Sequence, residues 1–239
     1  TCCGGCTIIP SMSDRIQKVI GTFAIMLLAV TAACSDSPSV EPTATARPQA
    51  EIVAEAKESV VRVETTTRSG DFTGSGFVIS GDSTVVATAY HVVENANAIW
   101  IRRGDEADST KIAADLIAFD DLTDIALLRV TDLEGGLDLS DSPPDAGKAV
   151  LAMGFPLGIF GSVSVSQGII SRRVEYEGDF FVQHDAEILQ GNSGGPLIDD
   201  SGRVIGINVL VVPDNVITSA GLNFAVHIGE LTQLMQSVG

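Results

Sequence analysis

The globular part of this sequence, residues 51–239, contains no cysteine. The four cysteines of the chain are Cys2, Cys3, Cys6 and Cys34, and all of them precede residue 51. No disulfide can therefore staple the globular part, and the terminal cysteine cluster has no histidine beside it that would favour a metal site. Aromatic residues make up only 5% of the chain, so the core has to be aliphatic.

Basic residues are also scarce. Lysine and arginine number 14 against 31 aspartates and glutamates, which gives a net charge of −17. An acidic surface of this size repels phosphate backbones, so nucleic acid is excluded as a partner. Only three histidines occur, His91, His184 and His227, and they are the few candidates for a neutral-pH base.

What the sequence does contain is glycine and aliphatic residues. With 239 residues, 45% of them apolar, the chain is long enough for one large domain or two small ones, and it is globular rather than disordered. The 24 glycines among many valines and isoleucines favour short strands joined by tight turns.

A secretory signal is predicted over residues 12–33. Arg15 and Lys18 follow Met12, residues 19–30 form an apolar run, and residues 31–33 are small, as signal peptidase requires. The run is shorter than the roughly 20 residues of a membrane span, and an uncleaved anchor helix is the alternative. Residues 1–11 precede Met12, and whether they are an upstream translation artefact stays open.

Cys34 follows the small residues directly, as in a bacterial lipobox, where the cysteine thiol receives diacylglycerol. Thr31 departs from that pattern, and simple cleavage after Ala33 is the alternative. Residues 34–50 contain Pro38, Pro42 and Pro48 and no core periodicity, which predicts a flexible tether. We therefore expect an exported protein of the cell envelope, tethered to the membrane through Cys34 or an anchor helix.

The globular part has two blocks of strand-like segments separated by residues 131–148, which are acidic and poor in pattern. The first block has apolar or alternating runs at residues 60–65, 76–79, 84–88, 98–101 and 125–130. The second has them at residues 149–153, 162–171, 180–183, 196–198, 204–210 and 222–226. Residues 51–59 have helical composition, and residues 228–238 have helical spacing. The pattern predicts an all-β fold of two small antiparallel barrels with a closing helix.

The most specific local motif is Gly191-Asn192-Ser193-Gly194-Gly195. Glycines on both sides of a serine permit a sharp turn, in which the N–H groups of Gly191 and Ser193 can form an oxyanion hole. The same letters fit the nucleophile elbow of α/β-hydrolases, with Asp214 and His227 downstream as partners. A glycine-rich hairpin without catalytic function is the remaining interpretation.

An arrangement in which the histidine and the aspartate precede Ser193 in the chain fits the sequence better. His91 follows a buried strand, and Asp124 stands at the start of the next long apolar strand. Histidine, then aspartate, then serine is the order of the two-barrel serine proteases.

Several segments together resemble the HtrA/Deg branch of the trypsin-like serine proteases. They are Gly74-Ser75-Gly76-Phe77-Val78, Thr88-Ala89-Tyr90-His91-Val92, Asp124-Ile125-Ala126-Leu127-Leu128, Gly154-Phe155-Pro156-Leu157-Gly158, residues 166–171, Gln183-His184-Asp185-Ala186-Glu187, residues 191–196, Gly206-Ile207-Asn208 and Asn223-Phe224-Ala225-Val226. The resemblance implies two six-stranded barrels, about residues 51–131 and 149–227, a closing helix at about 228–238, and a site in the cleft between the barrels.

The resemblance also implies roles. His91 takes the proton of Ser193, Asp124 orients His91, and Ser193 forms an acyl-enzyme on exposed or unfolded polypeptide, without metal or cofactor. Envelope protein quality control is the expected task. A catalytically silent peptide-binding lipoprotein, or a sensor protease with one partner, is the alternative.

Substrate preference is less sharply indicated. Glu187 stands six residues before Ser193, near the floor of the primary pocket, where it would favour arginine or lysine. Ile188 and Leu189 beside it favour the small aliphatic preference that is common in this branch. The segment Val209-Leu210-Val211 is expected to pair with substrate backbone by strand addition.

Other expectations concern regulation. Asn192 replaces the aspartate that pairs with a freed N-terminus in digestive relatives, so we expect control by loop ordering rather than zymogen cleavage. Gly239 closely follows the predicted closing helix, and no C-terminal PDZ domain is expected after it. A homotrimer is common in the family. His184 is expected to be structural, despite the carboxylates of Asp185 and Glu187 nearby, and His227 to cap the last helix or lie at the surface.

Overall fold

The computed structural model describes residues 47–103, 110–131, 133–142, 144–158, 161–209 and 222–238. Residues 44–239 form one compact unit. The predicted signal, Cys34 and residues 34–46 of the predicted tether lie outside the described residues.

Helix α1 (Gln49–Ala56) opens the described part, and a 3-10 turn at Lys57–Ser59 connects it to the first strand. Ile52 and Ala56 are buried, and their spacing of four residues places them on one face of α1. None of the helices within the described ranges is long and apolar enough to cross a membrane.

Six antiparallel strands close into the first barrel, barrel 1, in the order β1-β2-β3-β6-β5-β4. They are β1 (Val60–Thr67), β2 (Gly70–Ile79), β3 (Asp82–Ala89), β4 (Ala98–Arg102), β5 (Lys111–Asp120) and β6 (Ile125–Val130). The one-turn helix α2 (Tyr90–Val93) follows β3 directly. The core of barrel 1 is almost wholly aliphatic, as the shortage of aromatics requires.

Six further strands form barrel 2, in the order β10-β11-β12-β9-β8-β7. They are β7 (Ala149–Gly154), β8 (Ser164–Tyr176), β9 (Asp179–His184), β10 (Pro196–Asp199), β11 (Val204–Val209) and β12 (Asn223–His227). Helix α3 (Ile228–Val238) follows β12 and packs against β11 and against β5 of barrel 1. The fold class predicted from the sequence is confirmed, and each strand of the described residues has a neighbouring strand on both sides because both barrels are closed.

The link between the barrels is attached to both of them. Leu137 forms an isolated parallel bridge with Ile79 of barrel 1, and Leu139 forms one with Val204 of barrel 2. Gly136 adopts φ 151°, and a Cβ atom there would lie 2.7 Å from the backbone of Ser80. The segment is therefore fastened along its middle.

Candidate active site

Ser193 lies in a tight turn between β9 and β10, residues 191–195, which we call the Ser193 turn. Gly191 and Gly194 adopt φ values of 98° and 86°, in the left-handed region that other residues avoid. A Cβ atom on Gly194 would collide with the backbone oxygen of Ser75 and with the hydroxyl of Thr88. Glycine is therefore required by the backbone conformation and by the close approach of barrel 1.

Two backbone N–H groups of this turn are free to receive a ligand. Among the described residues, neither the Gly191 N–H nor the Ser193 N–H donates a hydrogen bond. The Gln190 carbonyl accepts from the Leu157 N–H at 2.6 Å. In a trans peptide the carbonyl and the following N–H point in opposite directions, so this bond turns the Gly191 N–H away from Leu157. Paired N–H groups of this kind can stabilise an oxyanion.

His91 and Asp124 are brought together within barrel 1. His91 lies in α2, and its Nδ1 atom is 2.6 Å from Asp124 Oδ2. The His91 backbone N–H donates to Asp124 Oδ1 at 2.8 Å, so both carboxylate oxygens bind the same residue. With the proton on Nδ1, Nε2 carries a lone pair and can act as a base.

The backbone reinforces this pair. Asp124 adopts φ 59°, in the left-handed region, which aspartate tolerates better than most residues. Its carbonyl accepts from the Tyr90 N–H at 3.0 Å. Tyr90 also stacks on Phe119 of β5, with 4.3 Å between ring centroids. Three hydrogen bonds and one ring contact thus hold the histidine segment in place.

Ser75 of β2 joins barrel 1 to the Ser193 turn. Its backbone N–H donates to the Ser193 carbonyl at 2.8 Å, and its hydroxyl donates to the Gly191 carbonyl at 2.6 Å. The same hydroxyl accepts from the Phe155 N–H at 2.9 Å. Ser75 is fully buried, and this one residue holds both ends of the segment Gly191–Ser193, the Gly191 carbonyl through its side chain and the Ser193 carbonyl through its backbone.

Asn208 of β11 supports the turn from the barrel 2 side. Its carbonyl accepts from the Gly194 N–H at 2.8 Å, and its N–H donates to the Gly195 carbonyl at 2.8 Å. Its side-chain amide donates to the Pro196 carbonyl at 3.0 Å. The sequence had indicated Ser75 and Asn208 only as parts of family motifs, without a role for either side chain.

The predicted pocket residues lie in different environments. Glu187 is exposed, and its carbonyl accepts from the Ser166 hydroxyl at 2.6 Å. Ile188 and Val209 are buried. Leu210 and Val211 lie outside the described residues, as does Asp214 of the α/β-hydrolase interpretation. Two closed barrels exclude that interpretation, because an α/β-hydrolase requires a parallel sheet flanked by helices.

The two remaining histidines lie in barrel 2. His184 is fully buried in β9, and this burial lowers its pKa to about 4, although the neighbouring Asp185 carboxylate acts in the opposite direction. Asp185 accepts from the Ile169 N–H at 2.6 Å. His227 ends β12, and its Nδ1 accepts from the Gly229 N–H at 3.1 Å, at the start of α3. Across the described ranges, no cluster of three or more histidine, cysteine or acidic side chains could hold a metal ion.

Asn192 is almost fully buried within the Ser193 turn. Its N–H donates to the Leu189 carbonyl at 3.0 Å, while its side-chain oxygen has no hydrogen bond partner among the described residues. That oxygen would lie 2.9 Å from a Cβ atom on Gly154. An uncharged amide at this position is compatible with a site that lacks a cation.

Comparison with known proteins identifies the family. The model of the trypsin-like peptidase domain matches residues 74–207. The magnetosome formation protease MamE of Paramagnetospirillum magneticum is 37% identical over 169 residues, which are 67% of this chain and 23% of that protein. A probable periplasmic serine endoprotease, DegP-like, from Rickettsia conorii is 37% identical over 163 residues, 64% of this chain and 31% of that protein. The chain thus spans less than a third of the length of these curated relatives.

Solved structures agree with this result. The serine endoprotease from Yersinia pestis superimposes with a TM-score of 0.67 at 31% identity, covering 80% of this chain and 66% of that one. The active form of a protease from M. tuberculosis superimposes with a TM-score of 0.69 at 28% identity, covering 88% and 95%. From its sequence, its two barrels and these relatives, the chain belongs to the family of trypsin-like serine peptidases and is similar to its HtrA/DegP-like members.

Proposed function

We propose that this chain is a serine endopeptidase that cleaves exposed or unfolded polypeptide through an acyl-enzyme on Ser193. In this proposal His91 removes the proton of Ser193 and returns it to the leaving amine, and Asp124 holds the His91 tautomer and balances the imidazolium charge. The observation that carries the proposal is the combination of two features: His91 bonds to both carboxylate oxygens of Asp124, and the N–H groups of Gly191 and Ser193 donate no hydrogen bond to any described residue.

We propose that substrate binds beside β11. On the side of β10, Ile207 of β11 pairs with Pro196 and the Asn208 backbone bonds to Gly194 and Gly195, so Val209 is the first residue of β11 past the Ser193 turn. A substrate strand paired with Val209 would bring its carbonyl to the Ser193 turn. The apolar Ile188 favours a small aliphatic residue at the cleaved position, since Glu187 is exposed.

The location and processing proposed follow from the N-terminal sequence and the relatives. A signal at residues 12–33, a lipid on Cys34 and a tether at residues 34–50 would place the protease domain, residues 51–239, at the cell envelope. The DegP-like relative from Rickettsia conorii, a probable periplasmic endoprotease, supports an envelope location. Protein quality control is the task that we propose there. We further propose control without zymogen cleavage, because Asn192 cannot form an ion pair, and a homotrimer as in the family.

The test is cleavage of an unfolded reporter polypeptide by the purified chain. The unsubstituted chain and the control Ser80→Ala, which changes an exposed serine, should release fragments at equal rates. Ser193→Ala should lose activity by about 10⁶-fold, the scale of losing a triad nucleophile. Equal cleavage by Ser193→Ala and Ser80→Ala would contradict the proposal, and light scattering of the same samples gives the oligomeric state.

A further inference from the structure

A strained turn lies beside the Ser193 turn. Residues Pro156–Gly158 form a 3-10 turn, which we call the Leu157 turn, and Leu157 within it adopts φ 59° and ψ 15°. This left-handed conformation costs a residue with a Cβ atom roughly 1–2 kcal/mol. The Leu157 side chain is 59% exposed, so burial of that side chain does not fix the conformation. Strain of this kind persists only where surrounding contacts enforce it.

Two contacts enforce it from opposite sides. On one side, the Leu157 N–H donates to the Gln190 carbonyl at 2.6 Å. On the other, Arg62 of β1 donates from Nη1 to the Gly158 carbonyl at 2.9 Å. The Arg62 guanidinium also lies over the Phe155 ring, with 5.0 Å between its central carbon and the ring centroid. Gln190 of barrel 2 therefore holds the Leu157 turn at Leu157, and Arg62 of barrel 1 holds it at Gly158.

The Leu157 turn also fixes the direction of the Gly191 N–H. A Cβ atom on Gly191 would collide with the Phe155 carbonyl oxygen and lie 2.9 Å from the Leu157 nitrogen, so the turn packs directly on the Gly191 backbone. Because Gln190 and Gly191 share one trans peptide, the Leu157 bond that holds the Gln190 carbonyl sets the direction of the Gly191 N–H. A shift of Leu157 would release that carbonyl and let the peptide rotate.

We propose that Arg62 is a positioning residue for the oxyanion hole, acting through the Leu157 turn on the Gly191 N–H. The inference rests on the proposed function of the Ser193 turn. Arg62 is 3% exposed, and burying a charge is costly unless the charge is bonded. Its planar fork can donate to a carbonyl while stacking on an aromatic ring, a combination that lysine does not offer.

The pKa of Arg62 lies below its ordinary value because burial penalises the charged form, with Arg102 nearby acting in the same direction and Glu64 opposing it. An arginine nevertheless stays protonated throughout the neutral range. The hydrogen bond from Arg62 to the Gly158 carbonyl is therefore independent of pH under the conditions in which His91 acts as a base.

The experiment compares Arg62→Met, which keeps the length and apolar contact of the side chain, with the unsubstituted chain. The matched control is Arg173→Met. The central guanidinium carbon of Arg173 also lies over a phenylalanine ring, 5.4 Å from the centroid of Phe180, but Arg173 itself is exposed on β8. On a peptide ester and a peptide anilide, Arg62→Met should lower kcat about 10- to 100-fold, below the loss of a whole oxyanion donor. KM should change less than twofold, and so should both parameters of Arg173→Met.

Two further readouts separate positioning from general destabilisation. The pH profile of kcat/KM should keep its midpoint in Arg62→Met, because the His91 and Asp124 pair is untouched. Hydrogen exchange at the Leu157 amide should accelerate at least tenfold in Arg62→Met and not in Arg173→Met. If Arg62→Met does not fold, Arg62→Lys takes its place and should show the same split between kcat and KM, with a smaller loss.

A kcat for the folded Arg62 variant within twofold of the unsubstituted chain would overturn the inference while leaving the proposed function intact. Inactivity of the unsubstituted chain itself would instead overturn the proposed function. In that case the Leu157 amide still decides whether Arg62 holds the turn, and unchanged exchange there would refute it.

Discussion

Barrel 1 and barrel 2 contribute to the candidate site in unequal ways. Barrel 1 contributes His91 already bonded to both oxygens of Asp124, and every bond in this pair lies within barrel 1. Barrel 2 contributes the Ser193 turn, whose carbonyls at Gly191 and Ser193 are held by Ser75 of barrel 1. The proposed base is thus held within one barrel, whereas the turn that carries the proposed oxyanion donors is held by contacts between the two.

Because of this difference, substitutions in the two regions should have different effects. A change within the His91 and Asp124 pair should remove activity without loosening the fold, because the pair lies at the surface of a complete barrel. A change at the junction should affect activity and stability together, because the same hydrogen bonds orient the turn and join the barrels.

Among the substitutions that compare the two barrels, Asp124→Asn changes the pair within barrel 1 and should have the largest effect. The amide can offer its NH₂ group to His91 Nδ1, which favours the wrong tautomer and protonates Nε2. We expect kcat to fall about 10⁴-fold, with a melting temperature close to that of the unsubstituted chain. The neighbouring exposed residue gives the control Asp121→Asn, and similar losses in both variants would count against the assignment of Asp124.

Ser75→Ala changes the contacts through which barrel 1 holds the Ser193 turn. It removes the bond to the Gly191 carbonyl and leaves the buried Phe155 N–H without its acceptor, which should cost about 1–3 kcal/mol of unfolding free energy. We expect kcat to fall roughly tenfold in the same variant, because a displaced oxyanion donor loses part of its effect. Urea unfolding and steady-state kinetics measure the two effects, with Ser80→Ala as control. Loss of stability without loss of kcat would show that Ser75 joins the barrels without orienting the turn.

His184 should make barrel 2 sensitive to acid. Burial holds the pKa of His184 at about 4, against 6.5 when exposed, so the unfolded chain binds an extra proton between these values. The stability contributed by this residue is complete above pH 6.5 and is lost as the pH falls towards 4, by about 3 kcal/mol in total. His184→Leu should show a correspondingly shallower fall of unfolding free energy between pH 6.5 and 4.5. Equal slopes in both chains would refute a buried neutral histidine.

Substitution of Glu230 should have the smallest effect, and the ionisation of Glu230 should lower stability at high pH, whereas that of His184 lowers it at low pH. Burial first, and then the carboxylates of Asp179 and Asp120, raise the pKa of Glu230, although the Phe180 N–H bond opposes this. Ionisation of Glu230 therefore disfavours the folded state above the ordinary range of a glutamate. Glu230→Gln should raise the melting temperature at pH 7 and lose this advantage as the pH falls below 4. The exposed residue Glu134 provides the control Glu134→Gln, and no difference between the two variants at pH 7 would contradict the prediction.

The sequence predicted much of this arrangement because short-range signals carry it. Alternating apolar runs marked most strands, and the glycines around Ser193 marked the turn. Strand β5 was not predicted, since its residues alternate weakly and its register with β6 shifts between Leu116 and Ala118. Interactions between barrels leave no local signal. Arg62 contacts a carbonyl 96 residues away along the chain, and nothing in its own neighbourhood indicates that contact.

Covalent labelling tests whether Ser193 is a nucleophile that His91 of barrel 1 activates. The purified chain, Ser193→Ala and Asp124→Asn are treated with a fluorophosphonate, and the adduct is located by mass spectrometry of peptides. We expect one adduct on Ser193 in the unsubstituted chain, slow labelling of Asp124→Asn at the same residue, and none in Ser193→Ala. An adduct of equal rate in Ser193→Ala, or an adduct on another serine, would contradict the claim.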